Sequence, residues 1–409
     1  MKILMVNDIG APCGGAENVI QRIRNELQQR GHEVKLLTGD LPAPQPGFSD
    51  YSFRSGDRSR AGKFVFHLYN PWARRSARQA IAGFRPDVIH LHLVSRFSPA
   101  GVRACLRIPT LMTIHYLGLF YPRLYKSVPR AAYCNSNDKA CCSKHTGILR
   151  YNFELFRTSM HYRSLKSLSA IIVPSEYVKK IVESQGFGPA YNFGNPIESS
   201  PYASQKEGHR LGNSVFFAGR LEPEKEIAKL IQSFELVNRQ IPGSKLYIAG
   251  DGSERSKLIA LIRGKNLEGS VKLLGRLDNT TLYKWYQKIN IVAVPSVLPE
   301  PFPLVGPEAM SFGVPVVASG AGGISEWLEH DFNGLIANPA SKEEFANAIL
   351  RLLKDEQLYR RLSANARLSV KRFCTETYVD KLVSLYEKAL NDAPASTVAK
   401  AAKMQKLSE

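Results

Sequence analysis

Two glutamates stand eight positions apart in EPFPLVGPEAM, residues 300–310. Around Glu300 and Glu308 lie three prolines, a glycine and the apolar Phe302, Leu304 and Val305. Apolar surroundings do not tolerate unpaired carboxylates, so the pair needs partners. A carboxylate accepts hydrogen bonds, and the hydroxyls of a ribose or a sugar would supply them. The same half of the chain also supplies cations. SVFFAGR runs into LEPEK, which sets Arg220 and Lys225 just beyond a strand. An Arg fork and a Lys point charge suit a diphosphate, and together neutralise one without a metal ion. Downstream, PVVASG leads into AGGISEW, where Gly320, Gly322 and Gly323 admit a close backbone approach. PEAMSFG reads as a short helix with Pro307 in its first turn and Gly313 closing it. Glu308 then stands by free N–H groups at the positive end of a dipole. Alone, Glu308 would be an ordinary first-turn acid. With two cations, a glycine turn and a second acid at one sheet edge, the set has the composition of a nucleotide-sugar pocket.

The elements that must hold these residues alternate short apolar runs with amphipathic stretches, the pattern of βα units on a parallel sheet. One series comprises KILMVN, EVKLLTG, DVIHLH, PTLMTIH and AIIVPS; a second comprises SVFFAGR, KLYIAGDG, VKLLGRL, INIVAVPS and PVVASG. Between them, residues 187–213 are rich in Gly, Pro, Ser and Asn, as a linker is. The fold class is therefore α/β, with two Rossmann-like doubly wound domains. The boundaries fall at 1–195 for the first domain, 196–213 for the linker and 214–375 for the second. A helix over 376–392 is a candidate to pack back on the first domain, and a disordered tail follows over 393–409. Ligands of such sheets bind beyond the carboxyl ends of the strands. In the first domain those ends carry Gly14 and Gly15, which open the helix that stops at Gly31, and His115, after PTLMTIH. GAPCGGAE lacks the GxGxxG spacing of a dinucleotide site, which argues against a dehydrogenase.

Composition narrows the class further. The 409 residues are 44% hydrophobic and 22% charged, as in a folded globular chain, and no apolar run is long enough to span a bilayer. MKILMVNDIG has no cleavage site behind it and reads as a first strand, so a cytoplasmic protein with reduced thiols is expected. The loop over 116–145 reads as an insertion carrying Cys134, Cys141, Cys142 and His145. Adjacent cysteines cannot easily ligate one metal and no CxxC pair exists, so ordinary thiols are expected rather than a zinc site. Charge is uneven: residues 51–150 hold 17 Lys and Arg against 3 Asp and Glu, within a chain net of +19. Such a surface suits anionic lipid, nucleic acid or phosphorylated substrates.

GRLEPEK, the E-x7-E of EPFPLVGPE, EAMSFGVPVVAS and GGISEWL together resemble the retaining glycosyltransferases of family 4, which have the GT-B fold of two domains facing across a cleft. The resemblance runs from MKILMVN to about residue 390. It implies that the second domain binds a sugar nucleotide and the first an acceptor. It implies further that Arg220 and Lys225 stabilise the leaving diphosphate, that Glu308 holds the ribose hydroxyls, and that Glu300 holds the donor sugar. Backbone N–H groups of Phe302, Leu304 and Val305 would approach sugar and phosphate, and the base would rest near Gly275 to Leu277. Gly14 and Gly15 would face the donor, and His115 would contact its sugar. Two residues depart from the pattern. Tyr116 follows His115 where an acid is common, and Pro303, which has no N–H, stands where glycine is common.

The chemistry so implied moves a sugar from a nucleoside diphosphate, UDP- or GDP-linked, to an acceptor hydroxyl with retention and without a metal or cofactor. A glycan or lipid-linked acceptor of envelope polysaccharide synthesis and peripheral attachment to an anionic membrane fit the basic, aromatic KFVFHLYNPWARRSAR. The alternatives are a sugar-nucleotide epimerase of related fold, which would need no acceptor, and a nucleic-acid-binding protein, for which no recognition motif is present.

Overall fold

The computed structural model describes residues 1–56, 66–117, 148–198 and 211–392. The chain divides into two units, Met1–Phe193 together with the chain from Tyr378 onward, and Gly194–Thr377.

The first unit is built on a seven-stranded sheet in the order β3-β2-β1-β4-β5-β6-β7. Its strands are β1 (Lys2–Asn7), β2 (Glu33–Gly39), β3 (Tyr51–Phe53), β4 (Val88–Leu91), β5 (Thr110–Thr113), β6 (Ala170–Val173) and β7 (Ala190–Asn192). Every pairing is parallel. Helices cover both faces of such a sheet, so its strands are apolar throughout rather than alternating. Accordingly Ile3 to Val6 and Val88 to Leu91 are buried without exception, including a histidine, His90. The helix Gly15–Gln29 contributes Val19, Ile20, Ile23 and Leu27 as one buried stripe. It ends at Gly31, which takes φ 82° as a left-handed stop.

The second unit carries a six-stranded parallel sheet in the order β10-β9-β8-β11-β12-β13. Its strands are β8 (Ser214–Ala218), β9 (Lys245–Ala249), β10 (Val271–Gly275), β11 (Ile291–Val294), β12 (Val316–Ala318) and β13 (Leu335–Ile336). Strand order reverses between β1 and β4 in one sheet and between β8 and β11 in the other, and a crevice opens at such a switch point. The expected doubly wound α/β architecture is the one observed.

Two boundaries differ from the sequence reading. The 187–213 stretch begins with β7, a strand of the first sheet, and residues 194–198 already belong to the second unit. Ile197 ties them there, its N–H donating to Phe373 O at 2.8 Å and its carbonyl accepting from Thr375 N at 3.1 Å. Residues 199–210 of the expected linker, nearly all of the 116–145 insertion with its cysteines and His145, and the 393–409 tail lie outside the described residues. Among the described residues, no helix is long and apolar enough to cross a membrane.

Candidate active site

In the second unit the site residues follow β8 and β11, the two strands of the switch point. After β8, Gly219 N bonds Ala249 O and Leu221 N bonds Asp251 O, both at 3.0 Å, which pins the loop to its neighbour. A short 3-10 turn, Pro223–Lys225, then presents Lys225, and Glu226 in the left-handed region (φ 48°) starts the helix Ile227–Gln240. Lys225 Nζ lies 2.5 Å from Glu300 Oε2, with both side chains largely buried. Glu300 Oε1 is also buried, and has no hydrogen-bond partner among the described residues. Arg220 is the opposite case. Its side chain is 68% exposed, and its guanidinium rests 3.1 Å from Glu224.

Glu300 is held by its backbone. Its carbonyl accepts from Gly323 N at 2.7 Å, and it bridges Gly322. Gly322 takes φ 67°, and a Cβ there would stand 2.7 Å from the Glu300 oxygen. Gly322 in the turn after β12 is thus required for packing against the Glu300 loop, a role the sequence reading did not give it. The helix Val305–Ser311 begins two residues before the expected Pro307, with Leu304 at its cap and Glu308 buried in its first turn. Phe302 is buried edge-on against Phe373, with ring centroids 5.2 Å apart. Gly275 closes β10 with φ 73° and bonds Gly250 N at 2.7 Å, and Leu277 follows at the same ends of the parallel strands. β10 is the sheet edge, two strands away from β8.

In the first unit, Gly14 caps the helix Gly15–Gln29 in an extended conformation. A Cβ at Gly14 would lie 2.8 Å from Glu17 Oε2, so this glycine makes room for a buried acid. Glu17 Oε1 has no partner among the described residues, and burial raises its carboxyl above the ordinary range. Asp8, just past β1, accepts Arg96 N and Phe97 N at 2.8 Å each, and burial pushes its carboxyl up to about 7. The sequence reading passed over both acids, although Asp8 directly follows its strand, as Arg220 follows β8 two residues on.

His115, two residues past β5, belongs to a stack of three imidazoles. His92 Nδ1 and His115 Nε2 are 2.9 Å apart, and the His90 and His92 ring centroids are 4.2 Å apart. His90 is fixed at both nitrogens, Nδ1 to Tyr386 Oη at 2.6 Å and Nε2 to Thr113 Oγ1 at 2.7 Å. Burial holds His90 down to about 3 and His115 to about 4, and burial with two ring neighbours holds His92 well below its ordinary value. All three rings are therefore neutral at neutral pH. Tyr116, in the place of the missing acid, pairs its hydroxyl with Ser95 Oγ at 2.8 Å.

Among the described residues no three His, Cys, Asp or Glu side chains are arranged to hold a metal ion. Cys105 and Cys374 are free thiols.

Two parallel-sheet α/β units in one chain, each with polar side chains past the strands of a switch point, are of the GT-B type. Comparison with known proteins makes that specific. Residues 203–369 match the glycosyl transferases group 1, and residues 13–191 match Glycosyltransferase Family 4. The chain is 31% identical over 399 residues to the glycogen synthase of Mycobacterium tuberculosis, covering 90% of this chain and 89% of that one. It is 28% identical over 415 residues to an uncharacterized glycosyltransferase of Methanocaldococcus jannaschii, covering 95% and 99%. Among solved structures, sucrose-phosphate synthase from Thermosynechococcus elongatus superposes with a TM-score of 0.74 at 21% identity, over 96% of this chain and 100% of that one. Anabaena HepE in complex with UDP-glucose gives 0.68 at 21% identity, over 95% and 100%. At those identities the likeness is one of fold. The chain belongs to the glycosyltransferases of the GT4 type.

Proposed function

We propose that this glycosyltransferase takes its sugar from a nucleoside diphosphate donor, UDP- or GDP-linked, and passes it with retention to a hydroxyl of a glycan or lipid-linked acceptor. The observation that carries the reading is Glu300. One oxygen is held by Lys225 and the other is buried without a partner among the described residues, and a buried acceptor in that state calls for a donor from outside. A sugar hydroxyl is such a donor. HepE, a relative in fold, was solved with UDP-glucose, which agrees with a donor of this kind.

In the proposed step the acceptor hydroxyl oxygen bonds to the anomeric carbon, the bond from that carbon to the diphosphate breaks, and the hydroxyl proton passes to the departing diphosphate oxygen. No protein nucleophile is used. The work of the protein is positioning and stabilisation of the leaving group's charge. Arg220 and Lys225 supply that charge in place of a metal ion, Glu308 takes the ribose hydroxyls, and His115 contacts the donor sugar. The acceptor belongs to the first unit. Its exposed Trp72, Arg75 and Arg78 suit an anionic membrane surface, where an envelope polysaccharide is built on a lipid carrier at the cytoplasmic face.

A thermal-shift series with UDP, GDP and their glucose and mannose conjugates, each with EDTA or magnesium, tests this. A shift with one nucleotide family, equal in EDTA, is expected. Binding that requires magnesium would overturn the assignment of charge to Arg220 and Lys225.

A further inference from the structure

The histidine stack assigns a role to His92 that no comparison with relatives supplies. His92 Nδ1 and His115 Nε2 are 2.9 Å apart, so one proton lies between them, and the tautomers of the two rings are linked. Two arrangements exist. If His115 donates, His92 keeps its proton on Nε2, a buried N–H with no acceptor among the described residues. If His92 donates from Nδ1, its buried Nε2 is a bare lone pair instead, and His115 carries its proton on Nδ1. An orphaned buried N–H is the rarer and costlier of the two. The second arrangement is therefore favoured.

His90 makes the arrangement rigid without dictating it. Its partners, the Tyr386 and Thr113 hydroxyls, can each donate or accept, and its ring packs on His92 at 4.2 Å. His92 is fully buried between that anchored ring and His115, whereas His115 is half-buried, with Nε2 its one partnered nitrogen among the described residues.

We infer that His92 is a positioning residue that locks His115 with a proton on Nδ1, so that His115 meets its ligand as a neutral hydrogen-bond donor. The ligand group is then an oxygen acceptor, such as a sugar hydroxyl oxygen. The specificity clause rests on the reading of His115 as the donor-sugar contact; the tautomer lock does not.

The test reads the tautomers directly, by nitrogen chemical shifts of the full chain labelled with 15N-histidine, His115 being assigned by its loss in His115→Gln. In the wild type both His92 and His115 should carry Nδ1–H and a bare Nε2. His92→Phe removes the donor, so His115 should become a tautomer mixture and kcat should fall about tenfold, the worth of one hydrogen bond. His92→Asn places an amide N–H where Nδ1 stood and should restore both the single tautomer and most of the rate. A wild-type His115 protonated on Nε2 overturns the inference, and does so without any variant having to fold. An unchanged His115 tautomer in His92→Phe overturns it as well. If the tautomers behave as stated but His115→Gln transfers sugar at the wild-type rate, the lock stands and the donor-contact reading of His115 fails instead.

Discussion

Lys225 Nζ and Glu300 Oε2 form an ion pair of 2.5 Å across 75 residues of sequence. A cation assigned to diphosphate and an acid assigned to sugar are thus bonded to each other before either meets a ligand. Their roles are not separable in the way two independent contacts would be. Glu300→Gln weakens the hold on Lys225, so it should reduce nucleoside diphosphate affinity as well as transfer. Lys225→Ala leaves a largely buried carboxylate alone and should cost about 1–3 kcal/mol of stability. In a double-mutant cycle on UDP or GDP affinity, the coupling between the two sites should exceed about 0.5 kcal/mol, the usual limit of additivity for independent positions. Additive effects would mean that the pair does not act on the nucleotide.

Arg220 should behave differently, because its guanidinium is exposed and its partner Glu224 is a surface neighbour. Arg220→Ala is expected to change thermal stability by less than about 0.5 kcal/mol, as surface substitutions do. Its effect should appear in nucleotide binding, with a loss of about tenfold for one charge-assisted hydrogen bond. Calorimetric titration with the bare nucleoside diphosphate reads this. An unchanged affinity would remove Arg220 from the diphosphate site.

Glu308 provides the contrast with Glu300. It sits in the first turn of the helix Val305–Ser311 and is assigned to ribose. Glu308→Gln should weaken the nucleoside diphosphate and the nucleotide sugar by the same factor, while the maximal rate of transfer at saturating donor changes less. A selective loss of the nucleotide sugar alone would place Glu308 at the sugar instead.

Acid should destabilise this fold through its imidazoles. His90 and His115 fall from the ordinary 6.5 to about 3 and about 4, and His92 falls well below it. As pH drops below about 6.5 the unfolded chain takes up protons that the folded chain refuses, so stability drains away down to about pH 4. The groups facing these rings, Tyr386 and Thr113, bring no charge to offset this. Asp8 works in the opposite sense. Its carboxyl is raised from 3.8 to about 7, so its contribution is present below about 4 and is lost as pH rises towards 7. Glu17, raised by burial as well, acts with Asp8, and three imidazoles against these two carboxyls still leave a net loss on acidification from pH 7 to 5. His92→Asn should flatten the slope of stability against pH by up to one proton, about 1.4 kcal/mol per pH unit. Denaturant melts at several pH values measure it, and a slope unchanged in the variant would place His92's ionisation outside the folding equilibrium.

The parts of this protein legible in its sequence are those where one local signal repeats. KILMVN and EVKLLTG coincide with β1 and β2 because a buried parallel strand writes itself as a run of apolar residues. β3, β7 and β13 were not legible. They are edge strands of two or three residues, too short for any periodicity. Arg220, Lys225, Glu300 and Glu308 stood out by type and by place after a strand. The contact between Lys225 and Glu300, and that between His92 and His115, depend on which strands the topology makes neighbours, and no spacing in the sequence encodes that. Glu17 was overlooked because one acid in a first turn looks like a dipole partner, and its burial is evident from the fold alone.

The basic face of the first unit makes the last prediction. On the helix Pro71–Phe84, Ala73, Ala77, Ala80 and Phe84 are buried, while Trp72, Arg75 and Arg78 are exposed. Arg54 lies over the Trp72 ring at 4.9 Å, and Tyr69, 51% exposed, takes a hydrogen bond from Arg74. Phe64, which the sequence placed in the same patch, lies outside the described residues. Tryptophan and tyrosine beside exposed arginines are the residues of a membrane interface, and each basic residue near an anionic surface contributes about 1 kcal/mol. A few such contacts give reversible binding that fades as salt screens charges over about 10 Å at 0.1 M. Arg74 is half-buried, so Arg75→Glu with Arg78→Glu is the cleaner variant. In sedimentation with liposomes, the wild type should bind increasingly as anionic lipid rises and release in salt, the double variant should lose most of that binding, and its melting temperature should match the wild type. Equal binding of the wild type to neutral and anionic vesicles, or none to either, would leave these arginines as a solvated surface.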